Sequence, residues 1–224
     1  MMALQLDSKR RASGSMKLDE ALQQLDAITA AAERADRFDG LRWFPTALTS
    51  VVGLGAAIIQ RDLMARSADP ESVFVGLWLV VSAIALAIVL SDMALRYFRD
   101  PTARARRMTI EVLGRLAPSI VVGGALTIII SLTARQVIWM LPGLWSVLLG
   151  LGIFAASSLI PKRLQTVGIW YIGCGLAVLM LATGEHALSP WAMAIPFAGG
   201  QSFAAWLMYC VANGTNSFQA NDDT

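Results

Sequence analysis

The sequence predicts an all-α, polytopic membrane protein with six transmembrane helices, both termini in the cytoplasm, and an amphipathic cytoplasmic helix near the N-terminus. Hydrophobic residues make up 56% of the chain and charged residues 15%, against about 25% charged in an ordinary soluble domain. Six separate apolar segments approach the roughly 20 residues that a bilayer-spanning helix requires. Basic residues are concentrated in alternate connections between these segments, as the positive-inside rule demands.

The apolar segments define the expected organisation of the chain. The predicted spans are approximately residues 44–60, 73–90, 116–133, 137–159, 167–183 and 191–211. They form a transmembrane bundle over residues 41–212, preceded by a cytoplasmic N-terminal segment (1–40) and followed by a short disordered cytoplasmic tail (213–224). The connections are too short to hold a separate soluble catalytic domain.

The distribution of Lys and Arg predicts the orientation. All but three of the 18 basic residues precede the first span or lie between spans two and three or four and five. The exceptions are Arg61, Arg66 and Arg135. Basic residues beside apolar spans meet anionic lipid headgroups, so the net charge of +2 indicates membrane lipid as a partner and no direct nucleic acid contact.

The segment before the first span has a helical pattern with one apolar stripe. Ser15 can cap the helix, and apolar residues follow at helical spacing. The stripe consists of Leu18, Leu22, Leu25 and Ile28. It either lies on the bilayer or the protein's own loops, or it binds a cytoplasmic partner or a second copy of the chain.

The sequence lacks the usual residues for catalysis. No predicted span centre carries Asp, Glu, Lys, Arg or His, which argues against a proton- or sodium-coupled pump. His186 is the only histidine; with Glu185 it either senses pH or forms a solvated turn. There is no metal-ligand spacing, phosphate-binding loop or nucleophile motif. We therefore expect no enzyme activity, no metal and no cofactor.

The sixth span contains the best candidate for a functional site. Pro196 cannot donate a backbone hydrogen bond, so the helix is expected to kink there. Gly199 and Gly200 allow close approach of a neighbouring backbone, and the Gln201 amide requires partners near mid-bilayer. These four residues form either a ligand-binding site or hinge, or a helix-packing contact.

Tryptophans are expected both at the membrane interfaces and inside the bundle. Trp78, Trp145 and Trp206 fall deeper in their spans than the other tryptophans. The expectation for these three is that they fill space between helices.

The second half of the chain resembles a family of uncharacterised bacterial inner-membrane proteins with six helices. The resemblance lies in the segments WMLPGLW (139–145), GIWY (168–171), ALSPWAMAIPF (187–197) and GQ (200–201). Some members are encoded beside winged-helix transcriptional regulators. The resemblance implies a bacterial plasma membrane and a regulator as partner, and it carries no catalytic residue.

Two hypotheses for function follow. In the first, the protein is a non-enzymatic sensor or regulatory anchor that holds a cytoplasmic partner through the N-terminal helix. In the second, it is a small transporter or channel for a neutral or amphipathic solute, built around Gln201. An enzyme acting on lipid is a third hypothesis, disfavoured because the sequence shows no cluster of polar groups at an interface.

Overall fold

The computed structural model describes residues 43–99, 103–159 and 162–210. Every regular element within these ranges is a helix, and no strand occurs among them. The predicted amphipathic helix, with Leu18, Leu22, Leu25 and Ile28, lies outside the described residues, as does the predicted C-terminal tail. Both remain predictions.

The first three helices are longer than the apolar segments that predict them. They are α1 (Trp43–Ala65), α2 (Pro70–Arg99) and α3 (Ala103–Thr133). Pro70 begins α2 directly after Asp69, as expected for a helix start with a capping Asp and Pro at the first helical position. Helix α3 continues without interruption from the basic segment at 104–107 into the span, with Pro118 inside it.

The remaining helices are shorter. A 3₁₀ turn (Arg135–Met140) leads into α4 (Leu141–Ala155), and a second one (Lys162–Leu164) leads into α5 (Gln165–Leu181). The last helical segment, α6, starts as an α-helix at Pro190–Met193 and takes π-helical form over Ala194–Gly199. It returns to α-helical form over residues 200–210.

Five of these helices are long and apolar enough to cross a membrane by length and composition. They are Trp43–Ala65, Pro70–Leu95, Ile110–Thr133, Arg135–Ala155 and Lys162–Leu181. In α6 the helical backbone is continuous over residues 190–210, but the π-helical turn divides it into shorter regular pieces. The helices indicate a membrane protein, and the sidedness of the bundle stays a prediction.

Side-chain contacts near the ends of the apolar segments define two ends of the bundle. At one, the Asp69 end, Arg135 donates to the Asp69 carboxylate with N–O distances of 2.6 and 2.7 Å. At the other, the Arg115 end, Arg115 donates to the Ser158 hydroxyl. Successive helices therefore run in opposite directions between the two ends. The sequence predicts the Arg115 end to be cytoplasmic.

Glycines bring the backbones of α4 and α5 into direct contact. A Cβ atom built on Gly143 would lie 2.8 Å from the Gly175 carbonyl oxygen, and the reverse distance is also 2.8 Å. Two turns along, a Cβ on Gly150 would lie 2.8 Å from the Gly168 carbonyl oxygen. Only glycine leaves room for this approach, which is typical of small-residue contacts between membrane helices.

An aromatic and aliphatic core lies between α1, α2 and α4. Phe74 and Trp78 are fully buried there, and the Phe74 ring stacks parallel to Trp145 at 6.5 Å between centroids. The predicted packing role is consistent with the burial of Trp78 and the partial burial of Trp145. For Trp206 the prediction is wrong, because its side chain is 59% exposed on the bundle surface.

Candidate functional site at the π-helical turn of α6

The π-helical turn at Ala194–Gly199 is centred on the predicted irregularity at Pro196. Proline has no backbone N–H and its ring clashes with the carbonyl one turn earlier, so an α-helix cannot continue unchanged through it. A single wider turn accommodates one additional residue and leaves carbonyl groups in need of partners. Ala194, Pro196 and Ala198 of this turn are buried.

Hydroxyl groups from two other helices reach the carbonyls of the π-helical turn. Ser50 of α1 donates to the Ala198 carbonyl at 2.8 Å, and its Oγ lies 2.7 Å from the Ser202 Oγ. Tyr171 of α5 donates to the Phe197 carbonyl at 3.4 Å. In lipid an unpaired carbonyl is unfavourable by several kcal/mol, so these hydroxyls stabilise the irregular backbone.

Glycines on both sides of the turn allow this close packing. A Cβ on Gly53 of α1 would lie 2.7 Å from the Phe197 ring, and one on Gly200 would lie 2.5 Å from the Tyr171 ring. Gly199 lies against the indole of Trp170, which a Cβ would approach to 3.1 Å. Larger residues at Gly53 or Gly200 would push the turn away from its partners.

The structure places the four sequence-predicted site residues within one short stretch of α6. Pro196 and Gly199 are within the π-helical turn, and Gly200 and Gln201 follow it immediately. The half-buried Gln201 side chain lies close to the Tyr171 hydroxyl. The predicted site on α6 therefore lies at the contact between α6 and α5.

Gln60 of α1 is a functional candidate that sequence reasoning missed. Its side chain is 0% exposed. Its Nε2 donates to the Leu188 carbonyl at 2.7 Å, and its Oε1 accepts from the Trp78 indole at 2.9 Å. The amide therefore holds the connection that begins α6. Arg61 and Asp62 follow Gln60 directly, so the sequence indicates that Gln60 lies at the end of a span. The polar side chain is the one local signal of a buried hydrogen-bond partner.

The end of α6 packs on the start of α1. The Thr46 hydroxyl donates to the Met208 sulfur at 3.7 Å. The rings of Trp43 and Tyr209 meet edge to face at 5.6 Å between centroids. Residues 200–210 thus connect the π-helical turn to the point where the N-terminal segment joins the bundle.

Charges lie away from the π-helical turn. At the Asp69 end, hydrogen bonds from Ser72 and Arg135 lower the pKa of Asp69 to about 2. At the Arg115 end, Arg115 also donates to Glu111 at 2.9 Å. Within residues 43–99, 103–159 and 162–210, no three His, Cys, Asp or Glu side chains form a group that could hold a metal ion.

Comparison of the chain with protein-family models, curated proteins and solved structures finds no match.

Proposed function

We propose that the protein is a non-enzymatic membrane sensor or regulatory anchor of the bacterial plasma membrane. Its N-terminal helix engages a cytoplasmic regulatory protein, and the transmembrane bundle sets whether that helix is available. The proposal requires that both termini of the chain lie in the cytoplasm.

One contact supports this proposal most directly. The segment that follows the π-helical turn packs against the first turns of α1, through Met208 on Thr46 and Tyr209 on Trp43. Residues 1–42 join the bundle at that point. A change in α6 would therefore be transmitted to the base of the N-terminal segment by direct contact, without a long chain of intermediate residues.

The π-helical turn suits the role of a movable element. The π-helical turn holds one residue more than an α-helical turn. Its conversion to a regular α-helix would therefore rotate residues 200–210 by about 100° relative to Pro190–Met193, the rotation per residue of an α-helix. Such a change replaces one set of contacts with another, as in other two-state helix shifts. The Ser50 and Tyr171 hydroxyls favour the π-helical form because they bond to its carbonyls.

The first experiment tests the N-terminal stripe. Leu22→Asp with Leu25→Asp should abolish in-cell crosslinking of the full-length protein to its cytoplasmic partner, measured by quantitative mass spectrometry. Gln23→Ser with Gln24→Ser changes neighbouring positions outside the stripe and should leave crosslinking unchanged. Unaltered crosslinking of every cytoplasmic protein after deletion of residues 1–39 would rule the proposal out.

A transporter for a neutral or amphipathic solute is the second candidate. It is favoured by the grouping of uncharged polar side chains at the α1, α5 and α6 seam, where Ser50, Ser202, Tyr171 and Gln201 lie. Only this function predicts solute flux from the purified protein in liposomes. Gln201→Leu should abolish that flux without lowering expression, and normal flux through the variant would exclude the site.

A further inference from the structure

An exposed aromatic surface follows the seam between α5 and α6. The Trp170 ring lies 6.1 Å from the Phe203 ring, which stacks at 6.2 Å on Trp206. Trp170 is 38% and Trp206 59% exposed. We call these three rings the aromatic seam. In a membrane protein such exposed rings face lipid, and amphipathic indoles are favoured near the headgroup level.

Beyond the aromatic seam, the exposed face of α5 carries two small residues in succession, Gly173 and Ala177, and we call the space over them the groove. Gly173 lies one turn beyond Trp170, and a Cβ atom built on it would have no heavy atom within 4 Å. Ala177 is exposed one turn further on. The absence of large side chains at these two positions leaves room for an acyl chain to lie against the helix.

A basic pair stands at the end of the same face. Lys162 and Arg163 directly precede α5, and both are exposed. Arg163, Thr166, Trp170 and Gly173 follow one another at helical spacing, so they lie on one side of the segment. Among the described carboxylates, none forms an ion pair with either basic residue. Within the part of the chain that the structure describes, no carboxylate therefore neutralises their charge.

We infer that the outer face of α5, beside α6, is a binding site for one anionic phospholipid. Lys162 and Arg163 hold the phosphate-bearing headgroup, Trp170 lies at the level of the ester groups, and an acyl chain occupies the groove at Gly173 and Ala177. The occupant is identified by charge, since basic clusters between membrane helices favour anionic over zwitterionic headgroups. The inference goes beyond the proposed function and holds whether or not the π-helical turn moves.

The site adjoins the π-helical turn. The Trp170 indole that would contact the lipid also covers Gly199, the last residue of that turn. A bound lipid would thereby hold Trp170 against Gly199.

Native mass spectrometry of the full-length protein tests the headgroup contact. With phosphatidylglycerol and phosphatidylcholine of identical acyl chains, the protein should retain phosphatidylglycerol preferentially. Each basic side chain near a membrane surface contributes about fivefold in affinity, so Lys162→Gln with Arg163→Gln should weaken phosphatidylglycerol binding about 25-fold. The matched control, Arg61→Gln with Arg66→Gln, removes two exposed basic residues toward the Asp69 end and should leave binding unchanged.

Two results would overturn the headgroup contact. One is equal retention of the two lipids by the wild-type protein. The other is an equal loss of phosphatidylglycerol in both double variants, which would indicate a general effect of net charge.

A photoreactive phosphatidylglycerol with a diazirine in its acyl chain tests the groove. Labelling should concentrate in residues 165–181 and 200–210. Gly173→Leu should reduce this labelling several-fold without unfolding the protein, because the added side chain meets open space. Gly55→Leu is the control, since a Cβ on Gly55 also has nothing within 4 Å. Uniform labelling of all exposed helices, or an equal effect of the two leucines, would contradict an acyl-chain site at Gly173.

Discussion

Two helix contacts in this bundle differ in the groups that cross them: one joins backbones directly, and the other adds side-chain hydrogen bonds. Between α4 and α5, glycines bring backbone against backbone, as at Gly143 with Gly175 and Gly150 with Gly168. Between α1 and α6, Gly53 packs on the Phe197 ring, and polar side chains of α1 also reach carbonyl groups, as Ser50 does to Ala198 and Gln60 to Leu188 in the connection before α6.

This difference determines which part of the bundle can rearrange. A glycine contact depends on shape, so any rotation of one helix separates the backbones and loses dispersion contacts at once. A hydrogen-bonded contact between membrane helices contributes only about 0.6 kcal/mol on average, because the separated groups find other partners. The α4–α5 pair is therefore the rigid frame, and the α1–α6 contact is the part that can exchange one arrangement for another.

Gly150→Ala should have the largest effect. The new Cβ would lie 2.8 Å from the Gly168 carbonyl oxygen and 2.7 Å from the Ile172 side chain, so the helices must move apart. We expect a loss of about 1–3 kcal/mol in the free energy of unfolding, measured by titration with denaturing detergent. Gly173→Ala on α5 is the control in open space, where helix propensity adds up to about 1 kcal/mol. If Gly150→Ala were as stable as the wild type, α4 and α5 would not be a rigid frame.

Gln60→Leu should have the next largest effect. The substitution leaves the Trp78 indole N–H and the Leu188 carbonyl without their present partner. A buried polar group without a hydrogen-bond partner costs about 1–3 kcal/mol. We expect the loss in the free energy of unfolding to lie in the lower half of that range, because neighbouring groups can replace part of the lost hydrogen bonding. Gln165→Leu removes only one long hydrogen bond of 3.4 Å to Ser157 and should change stability far less. Equal effects would mean that Gln60 does not anchor the start of α6.

Ser50→Ala and Tyr171→Phe should each have a smaller effect on stability, about 0.6 kcal/mol. Each variant removes one hydroxyl donor to a carbonyl of the π-helical turn, so amide hydrogen exchange should increase over residues 194–199. Thr133→Ala is the control, because its hydroxyl bonds to the Ile129 carbonyl of its own helix at 2.7 Å. Unchanged exchange in the Ser50→Ala, Tyr171→Phe double variant would show that other contacts hold the π-helical form.

The sequence predicts much of this architecture because membrane helices are specified by composition and length. The long apolar runs and the helix start at Asp69 and Pro70 are local signals, and the helices follow them. Pro196 likewise indicates a departure from regular helix, although the sequence does not distinguish a kink from a π-helical turn.

The partners of the candidate site could not be predicted, because they depend on which helices become neighbours. Ser50 and Tyr171 lie 148 and 26 residues from the carbonyls they contact. Each is an ordinary serine or tyrosine in its own span. Trp206 shows the same limit, since an aromatic residue in a span packs inside the bundle or faces lipid according to tertiary contacts alone.

Loss of the ion pair at the Asp69 end should have the smallest effect on stability. This contact is exposed to water, so its response to pH and salt should differ from that of the contacts between helices. Hydrogen bonds from Ser72, and then from Arg135, lower the Asp69 pKa from 3.8 to about 2. Its contribution to stability is therefore complete above pH 3.8 and is lost as the pH falls through about 2. Ser72→Ala should raise the pKa of Asp69 further than Arg135→Gln does, measured by the carboxyl carbon shift in NMR titrations.

Added salt should weaken the effect of Arg135 on the Asp69 pKa, because both side chains are exposed. Salt should leave the glycine contact of α4 and α5 unchanged, and an equal response of both contacts would contradict the distinction drawn between them.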